Sequence, residues 1–417
     1  MTLTLDRVDL DLRREPLRQP FGFKGGQFTE KWLCRVDLTS EGGVRAAGVG
    51  GLAVLWSDRE VFTAHTEVGG NLLMAALLEY ALQRARGRSF DTPFELLDGL
   101  VDEVHAYGRT LIGRDELRRT FTLNALVALD NAAWTLYARA HDLRTFDAMI
   151  PAASREPLHH RHARVARVPL VSYATRPEQI AAMLAGGATV LKIKIGAAGT
   201  PDEMLGADKA RLTEVHRAAT AHAGPPPAYY LDANGRYPDR AHLEALLAHA
   251  REIGMLTRTI LLEEPFPEEA DIDVHGLGVR VAADESLHRV EDVRRKARAG
   301  YGAVALKPAG KTLSVTLRMV REAEAQGLAC FVADSACTPR LLDWNRNVAA
   351  RLAPLPGMTD GLLEANGAQV YRNWEPMQDA HPCRAATWLR PRDGAFVLDE
   401  EFYRGSGGVL APLEPWR

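Results

Sequence analysis

ATVLKIKI (188–195), PAYYLDAN (227–234), RTILLEEP (258–265) and VRVAADES (279–286) decide the fold of this chain. Each is a short, nearly continuous apolar run that closes on polar or charged residues. Stretches of helical periodicity lie between them, over 201–222 and 240–254. Working outward, VPLVSYA (168–174) and a helical stretch over 177–186 come before. GAVALKPA (302–309), GLACFVAD (327–334) and TDGLLEAN (359–366) follow. Apolar strands spaced by amphipathic helices are parallel and buried on both faces. Eight such βα units over about 210 residues predict a (β/α)8 barrel of the TIM type.

The front of the chain reads differently. LTLDRVDLDL (3–12) and KWLCRVDLTS (31–40) alternate as strands do, and QPFGFKGGQFTE (19–30) between them reads as a loop. From about residue 59 to 140 the period turns helical. Strands followed by a run of helices predict an α+β domain over 1–150. PAASREPLHHRHARV (151–165) reads as a solvated linker, and the barrel spans 165–375. Residues 380–417 lose the βα rhythm and are expected to return to the first domain.

Composition narrows the function. A net charge of −3 gives no electrostatic footprint for nucleic acid or an anionic membrane. No apolar run reaches the length of a membrane span, and the N-terminus lacks a signal-peptide pattern. Four scattered cysteines form no disulfide framework, so a reducing, cytoplasmic setting is expected. Lysine is scarce: the chain has only eight, at 24, 31, 192, 194, 209, 296, 307 and 311. Because Lys can lose its proton where Arg cannot, each one carries information.

Chemistry in a barrel of this kind sits at the C-terminal ends of the strands. The second strand closes with Lys192 and Lys194, the third with Asp232, the fourth with Glu263 and Glu264. The fifth closes with Asp284 and Glu285, the sixth with Lys307, the seventh with Asp334, the eighth with Glu364. Carboxylates from three successive strands would converge. Each like-charge pair near 4 Å costs about 4 kcal/mol at an effective dielectric of 20. Three pairs cost on the order of 12 kcal/mol, comparable to a domain's whole stability. A divalent cation removes that cost, and all-oxygen ligands favour Mg²⁺, with Mn²⁺ as the alternative. A metal-bound carboxylate substrate can then lose its α-proton to give an enediolate. Lys194 and Lys307 would face each other across the mouth, one removing a proton and the other delivering one. A lysine beside a cation and a second lysine is expected to be lowered towards neutrality.

The series Lys192-Ile-Lys194, Asp232-Ala-Asn234, Glu263-Glu264-Pro265, Asp284-Glu285-Ser286 and Leu306-Lys307-Pro308 resembles the enolase superfamily, in its muconate lactonizing enzyme-like subgroup. The resemblance implies a capping domain, built from the N-terminal residues and the C-terminal tail, closing over the barrel. It implies Asp232, Glu263 and Asp284 as metal ligands. Lys194 and Lys307 match the acid/base pair, and Lys192 matches the helper at the substrate carboxylate. Glu364 and Asn234 fall beside the substrate. The sequence departs from the family pattern in two places. The seventh strand offers Asp334-Ser335 where a mandelate racemase-like site has His. The sixth-strand Lys leads into Pro-Ala-Gly-Lys311 rather than Gly-Gly.

Capping loops would set specificity. Phe21-Gly-Phe23-Lys24-Gly-Gly-Gln27 reads as a lid with glycine hinges. Phe23 and Lys24 are candidate substrate contacts, Lys24 through a distal carboxylate, and Asp334 could take an amine or hydroxyl. Val49–Ala53 and Trp56 offer a second capping contact. The expected partner is a small carboxylate, in a homo-oligomeric protein. The expected reaction is racemisation or epimerisation of an amino-acid derivative, dipeptide or related acid. The alternatives are an acid-sugar dehydratase, a succinylbenzoate-synthase-like lyase, a muconate-type cycloisomerase, or a non-catalytic scaffold.

Overall fold

A computed structural model describes residues 1–23 and 25–414. The chain opens with three long antiparallel strands, Leu3–Phe23, Gly26–Ser40 and Arg45–Leu52. The middle one pairs with both neighbours, and the two-residue strand Ser89–Phe90 completes the far edge. Helices Arg59–Ala85, Pro93–Ile112, Arg119–Ala125 and Val127–Ala140 follow. Asp58 caps the first of these, its carboxylate accepting the N–H groups of Glu60 and Val61. Helix Val127–Ala140 lies directly on strand Arg45–Leu52. Contact is possible because that strand offers Gly48 and Gly50. A β-carbon at Gly48 would sit 2.2 Å from Ala132 N, and one at Gly50 would sit 2.7 Å from Ala128 N.

The second sheet holds ten strand segments. Arg164–Val168 and Leu170–Val171 are halves of one strand, interrupted at Pro169, which has no N–H to give. Ala395–Val397 is an antiparallel addition. Eight parallel strands remain. They are 164–171, Val190–Lys194, Ala228–Asp232, Thr259–Glu263, Val281–Ala283, Ala303–Leu306, Ala329–Val332 and Gly361–Glu364. The first pairs with the eighth through its front half and with the second through its back half, so the sheet closes into a barrel. Helices Pro177–Ala185, Pro201–Thr220 and Arg240–Glu252 fall where the sequence periodicity placed them. The barrel's inside is filled by its own buried cluster. Tyr230 and Phe331 meet edge to face at 5.4 Å, with Ala282, Ala303, Ala305 and Ala333 leaving them room. That layer is the floor beneath the strand ends.

Three readings change. The 19–30 segment is not a loop: Phe21 pairs with Phe28, Gly22 with Gln27 and Phe23 with Gly26, so the first two strands run on as a hairpin. Glu67 accepts the N–H groups of Thr29 and Glu30 and tethers the hairpin to the kink at Thr66. His162, within the presumed solvated linker, is buried and hydrogen-bonds Leu352 O at 2.8 Å. The tail spends most of its described length on the barrel. Ala395–Val397 hydrogen-bonds the first barrel strand, and Asn347 holds Ser406 O. It also touches the first domain: Ser406 Oγ donates to Arg144 O at 3.1 Å, and among the described residues its end meets the capping sheet, where Arg35 Nη1 donates to Leu413 O at 3.1 Å. Among the described residues, no helix is long and apolar enough to cross a membrane.

The glycine contact predicts a stability effect. Gly48→Ala forces the Val127–Ala140 helix off its strand, and overpacking of this kind costs about 1–3 kcal/mol. Urea unfolding should show that loss. Gly87→Ser, where nothing lies within 4 Å of the added β-carbon but φ is +76°, should cost less.

Candidate active site

Lys192 and Lys194 lie two apart on the second barrel strand, so both point the same way, into the barrel mouth. Lys192 Nζ is buried 2.8 Å from Asp232 Oδ2, 2.9 Å from Glu263 Oε2 and 3.0 Å from Glu364 Oε2. Lys194 Nζ stands 2.5 Å from Asp232 Oδ2 and 2.6 Å from Asn234 Oδ1. Across the mouth, Lys307 Nζ bonds Asp284 Oδ2 and lies 4.7 Å from the centre of the Trp56 ring. Lys311, one turn on, donates to Asp284 O at 2.5 Å. Ammonium and carboxylate groups thus interleave around the ring of strand ends.

The fourth-strand pair separates cleanly. Glu263 ends the strand facing the mouth, where Tyr230 OH also donates to it. Glu264 takes a positive φ of 38° and turns behind the strands. There its Oε2 accepts from Asp284 N at 2.6 Å and from Ser286 Oγ at 3.0 Å, bracing the fifth-strand loop. Glu263 is therefore the fourth-strand carboxylate that faces the site.

Glu263, Asp284 and Glu285 each present a carboxylate oxygen within 4.8 Å of the others, all buried. Asp232, expected in that set, stands apart from it. Both second-strand ammonium groups bond its Oδ2 and hold it on their side. Glu285 comes in instead, steadied by Asn234 Nδ2 at 3.0 Å. A hard divalent cation fits these donors. All are carboxylate oxygens, and Glu263 Oε1 is buried with no hydrogen-bond partner among the described residues.

Electrostatics says the same. Burial, reinforced by Asp284 and Glu285, pushes Glu263 up to about 8 against the pull of Lys192 and Lys307. Burial would also raise Asp284 and Asp232. Lys307 and Lys311 instead hold Asp284 well below the carboxylate range, and Lys192 and Lys194 draw Asp232 down to about 2. Burial lowers Lys192 and Lys307, but their carboxylate neighbours outweigh it and keep both above the usual value. The ammonium groups supply the positive charge that this carboxylate cluster requires. A cation seated on the cluster would take over that role and release them.

Above the strand ends is a cavity shared by barrel and capping domain. Lys192, Lys194, Asp232, Asn234, Lys307, Asp334 and Glu364 line its barrel side; Phe21, Phe28, Lys31 and Trp56 are on the capping side. The Phe23 side chain and Lys24 lie outside the described residues. Asp334 is spent on backbone: Oδ1 accepts from Ser335 N and Cys337 N, and Oδ2 from Asn366 N at 2.7 Å. It shapes the seventh- and eighth-strand loops. Lys31 and Lys311 were given no role from the sequence, and Glu285 stood only as a possible replacement for Asp284 as ligand. For the lysines the available signal was scarcity, since five of the seven described ones (Lys31, Lys192, Lys296, Lys307 and Lys311) are buried.

Residues 176–354 match the Enolase C-terminal domain-like family. That stretch runs from the first barrel helix to just short of the eighth strand, so most of the barrel is similar to that domain. The whole two-part chain also resembles solved structures. A mandelate racemase/muconate lactonizing protein from Herpetosiphon aurantiacus is 17% identical at a TM-score of 0.67, over 95% of this chain and 96% of that one. A dipeptide epimerase from Enterococcus faecalis, complexed with Mg and L-Leu-L-Tyr, is 17% identical at 0.60, over 88% and 100%. An N-succinyl Arg/Lys racemase from Bacillus cereus is 16% identical at 0.62, over 89% of each. At these identities the likeness carries the fold of an enolase-type barrel with its capping domain. None of the curated proteins matches the sequence.

The raised Glu263 predicts proton-linked metal binding. The folded protein keeps this proton up to about pH 8, while an unfolded Glu releases it near 4.5. The carboxyl's contribution to stability is therefore full below 4.5 and is lost as pH rises through 8. A divalent cation must displace the same proton. Mg²⁺ affinity should rise by about tenfold per pH unit below the Glu263 value. Calorimetry in buffers of different ionisation enthalpy should show close to one proton released, and Glu263→Gln should flatten the dependence.

Proposed function

We propose that this protein is a divalent-cation-dependent racemase or epimerase, acting at the carbon α to a carboxylate in an amino-acid derivative, dipeptide or related acid. The observation that carries the reading is the opposed pair of lysines. Lys194 from the second strand and Lys307 from the sixth both reach the cavity, with the carboxylate cluster between them. A racemase needs one group on each face of the reacting carbon, and an amine that gains and loses a proton suits either face.

Glu263, Asp284 and Glu285 would hold the cation, with Asp232 as the further ligand that the family resemblance names. The cation would stabilise the negative charge that builds on the substrate carboxylate as its α-proton leaves. Lys192 anchors that carboxylate, its ammonium already bridging three acidic side chains of the ring. Asn234 orients Lys194 through its side-chain oxygen. Lys194 takes the proton from one face, and Lys307, backed by the Trp56 ring, returns one to the other. In the reverse direction their roles exchange. Phe21, Phe28 and Trp56 on the capping side keep the reacting atoms out of bulk water.

Two results would test this. Incubation with Mg²⁺ in D₂O against a library of carboxylic acids, dipeptides and N-acyl amino acids should add a single mass unit to the recovered substrate. Loss of water would identify a dehydratase or synthase instead. Lys194→Met and Lys307→Met should each slow racemisation by about 10²–10⁴. Each variant should still exchange the α-proton of one enantiomer, and the two should differ in which. Full activity in either variant would refute the two-base assignment.

A further inference from the structure

Lys31 is a lysine of the capping sheet buried inside the catalytic cavity. It lies on strand Gly26–Ser40, is 2% exposed, and reaches down to donate to Ser335 O, just past the seventh barrel strand, at 2.9 Å. The neighbouring capping strand makes way for it: a β-carbon at Gly51 would fall 2.8 Å from Lys31 Cε.

Among the described residues, that carbonyl is its one hydrogen-bond partner. Asp334, the carboxylate whose charge acts on it, directs both oxygens at backbone N–H groups. The nearby Cys337 thiol, pushed up by burial and by Asp334, is neutral. An ammonium has three donors, and a buried charge without a bonded counter-charge is costly. Lys192, Lys194, Lys307 and Lys311 each bond a carboxylate; Lys31 does not. On the same capping wall, Trp56 Nε1 is buried with no hydrogen-bond acceptor among the described residues. Both residues line the cavity.

We propose that Lys31 is a specificity-determining residue that binds a second acidic group, carried by the substrate at the end away from the reacting carboxylate. The proposal rests on the α-proton chemistry proposed above. The carboxylate being activated belongs on the side of Lys192 and the acidic cluster, at strands two to five. Lys31 enters beside strand seven, so one molecule with two acidic ends can satisfy both. Burial draws Lys31 down to about 8, which leaves it mostly protonated at neutral pH, and a bound anion would hold it so. The second acidic group supplies the counter-charge that this chain does not bond to the ammonium.

The test uses the Mg²⁺-loaded full chain and matched acids. N-glutaryl and N-pentanoyl amino acids have the same chain length and differ only in the distal carboxylate. The wild type should exchange the α-proton of the glutaryl compounds with at least tenfold higher kcat/KM. Lys31→Met should erase that preference, mainly through KM, bringing the glutaryl and pentanoyl values of kcat/KM together. Lys31→Arg should retain part of it, and circular dichroism should confirm that both variants fold. Equal rates for the pair in the wild type, or an unchanged preference in Lys31→Met, would overturn the proposal. Calorimetric binding of glutarate against monomethyl glutarate separates the two readings. If no compound exchanges, the racemase reading fails; Lys31-dependent preference for glutarate then still supports the anion site, and equal binding overturns it.

Discussion

Everything at the mouth of this barrel depends on burying many like charges together. Glu263, Asp284 and Glu285 cannot all ionise side by side out of water without compensation, and the arrangement around them answers that constraint. Lys192 sits among three carboxylates, Lys307 and Lys311 share Asp284, and Lys194 holds Asp232. One carboxyl, Glu263, is raised to about 8 because burial, with Asp284 and Glu285 beside it, outweighs the pull of Lys192 and Lys307. Near a pair of charges at about 4 Å the interaction is about 4 kcal/mol at an effective dielectric of 20. A shift of several pKa units is the scale to be expected. The same imbalance would favour a divalent cation on the cluster, and on the proposed reading the cation would free two amines for proton transfer.

The barrel was legible in the sequence because its strands are buried on both faces. Apolar runs of four or five residues, each ending in charge, mark both the strand and the end where chemistry sits. Lys192 and Lys194 could be assigned to one face because a strand alternates with period two. That rule fails at the fifth strand. The ladder ends at Ala283, so Asp284 and Glu285 already belong to the loop, and both carboxylates reach the cluster. Adjacent residues can share a site once the pleat no longer governs them. The choice between Glu263 and Glu264 was equally closed to pattern reading. It rests on the left-handed turn at Glu264, which the sequence does not announce.

The capping side was harder to read for a different reason. Pro16, Pro20 and a run of glycines conceal the continuation of the first two strands into a hairpin, since each residue type argues against a strand. Phe21 and Phe28 nonetheless pair across it with ring centres 5.1 Å apart. Lys31 lies in a stretch that reads as an ordinary alternating strand. Its inward direction follows only from docking the sheet on the barrel, a contact with residues some three hundred positions away. Long-range burial of a single charge leaves no local pattern; only the scarcity of lysine hinted at it.

The capping domain is fastened to the barrel by polar contacts at several points. Arg118 pairs with Glu268 and Glu269 on the fourth-strand side. Asp130 accepts the N–H of Ser314 and its hydroxyl, capping a barrel helix from the other domain, while Trp134 Nε1 holds the same hydroxyl. Lys31 adds the contact at the seventh strand. Of these, the first two lie among protein groups alone, and only the third opens into the cavity. A ligand that engages Lys31 therefore touches the junction between the domains as well as the reacting site. Binding energy gained there bears on how firmly the cap closes over the chemistry, so recognition of the distal group and exclusion of water from the lysine pair are coupled through one side chain.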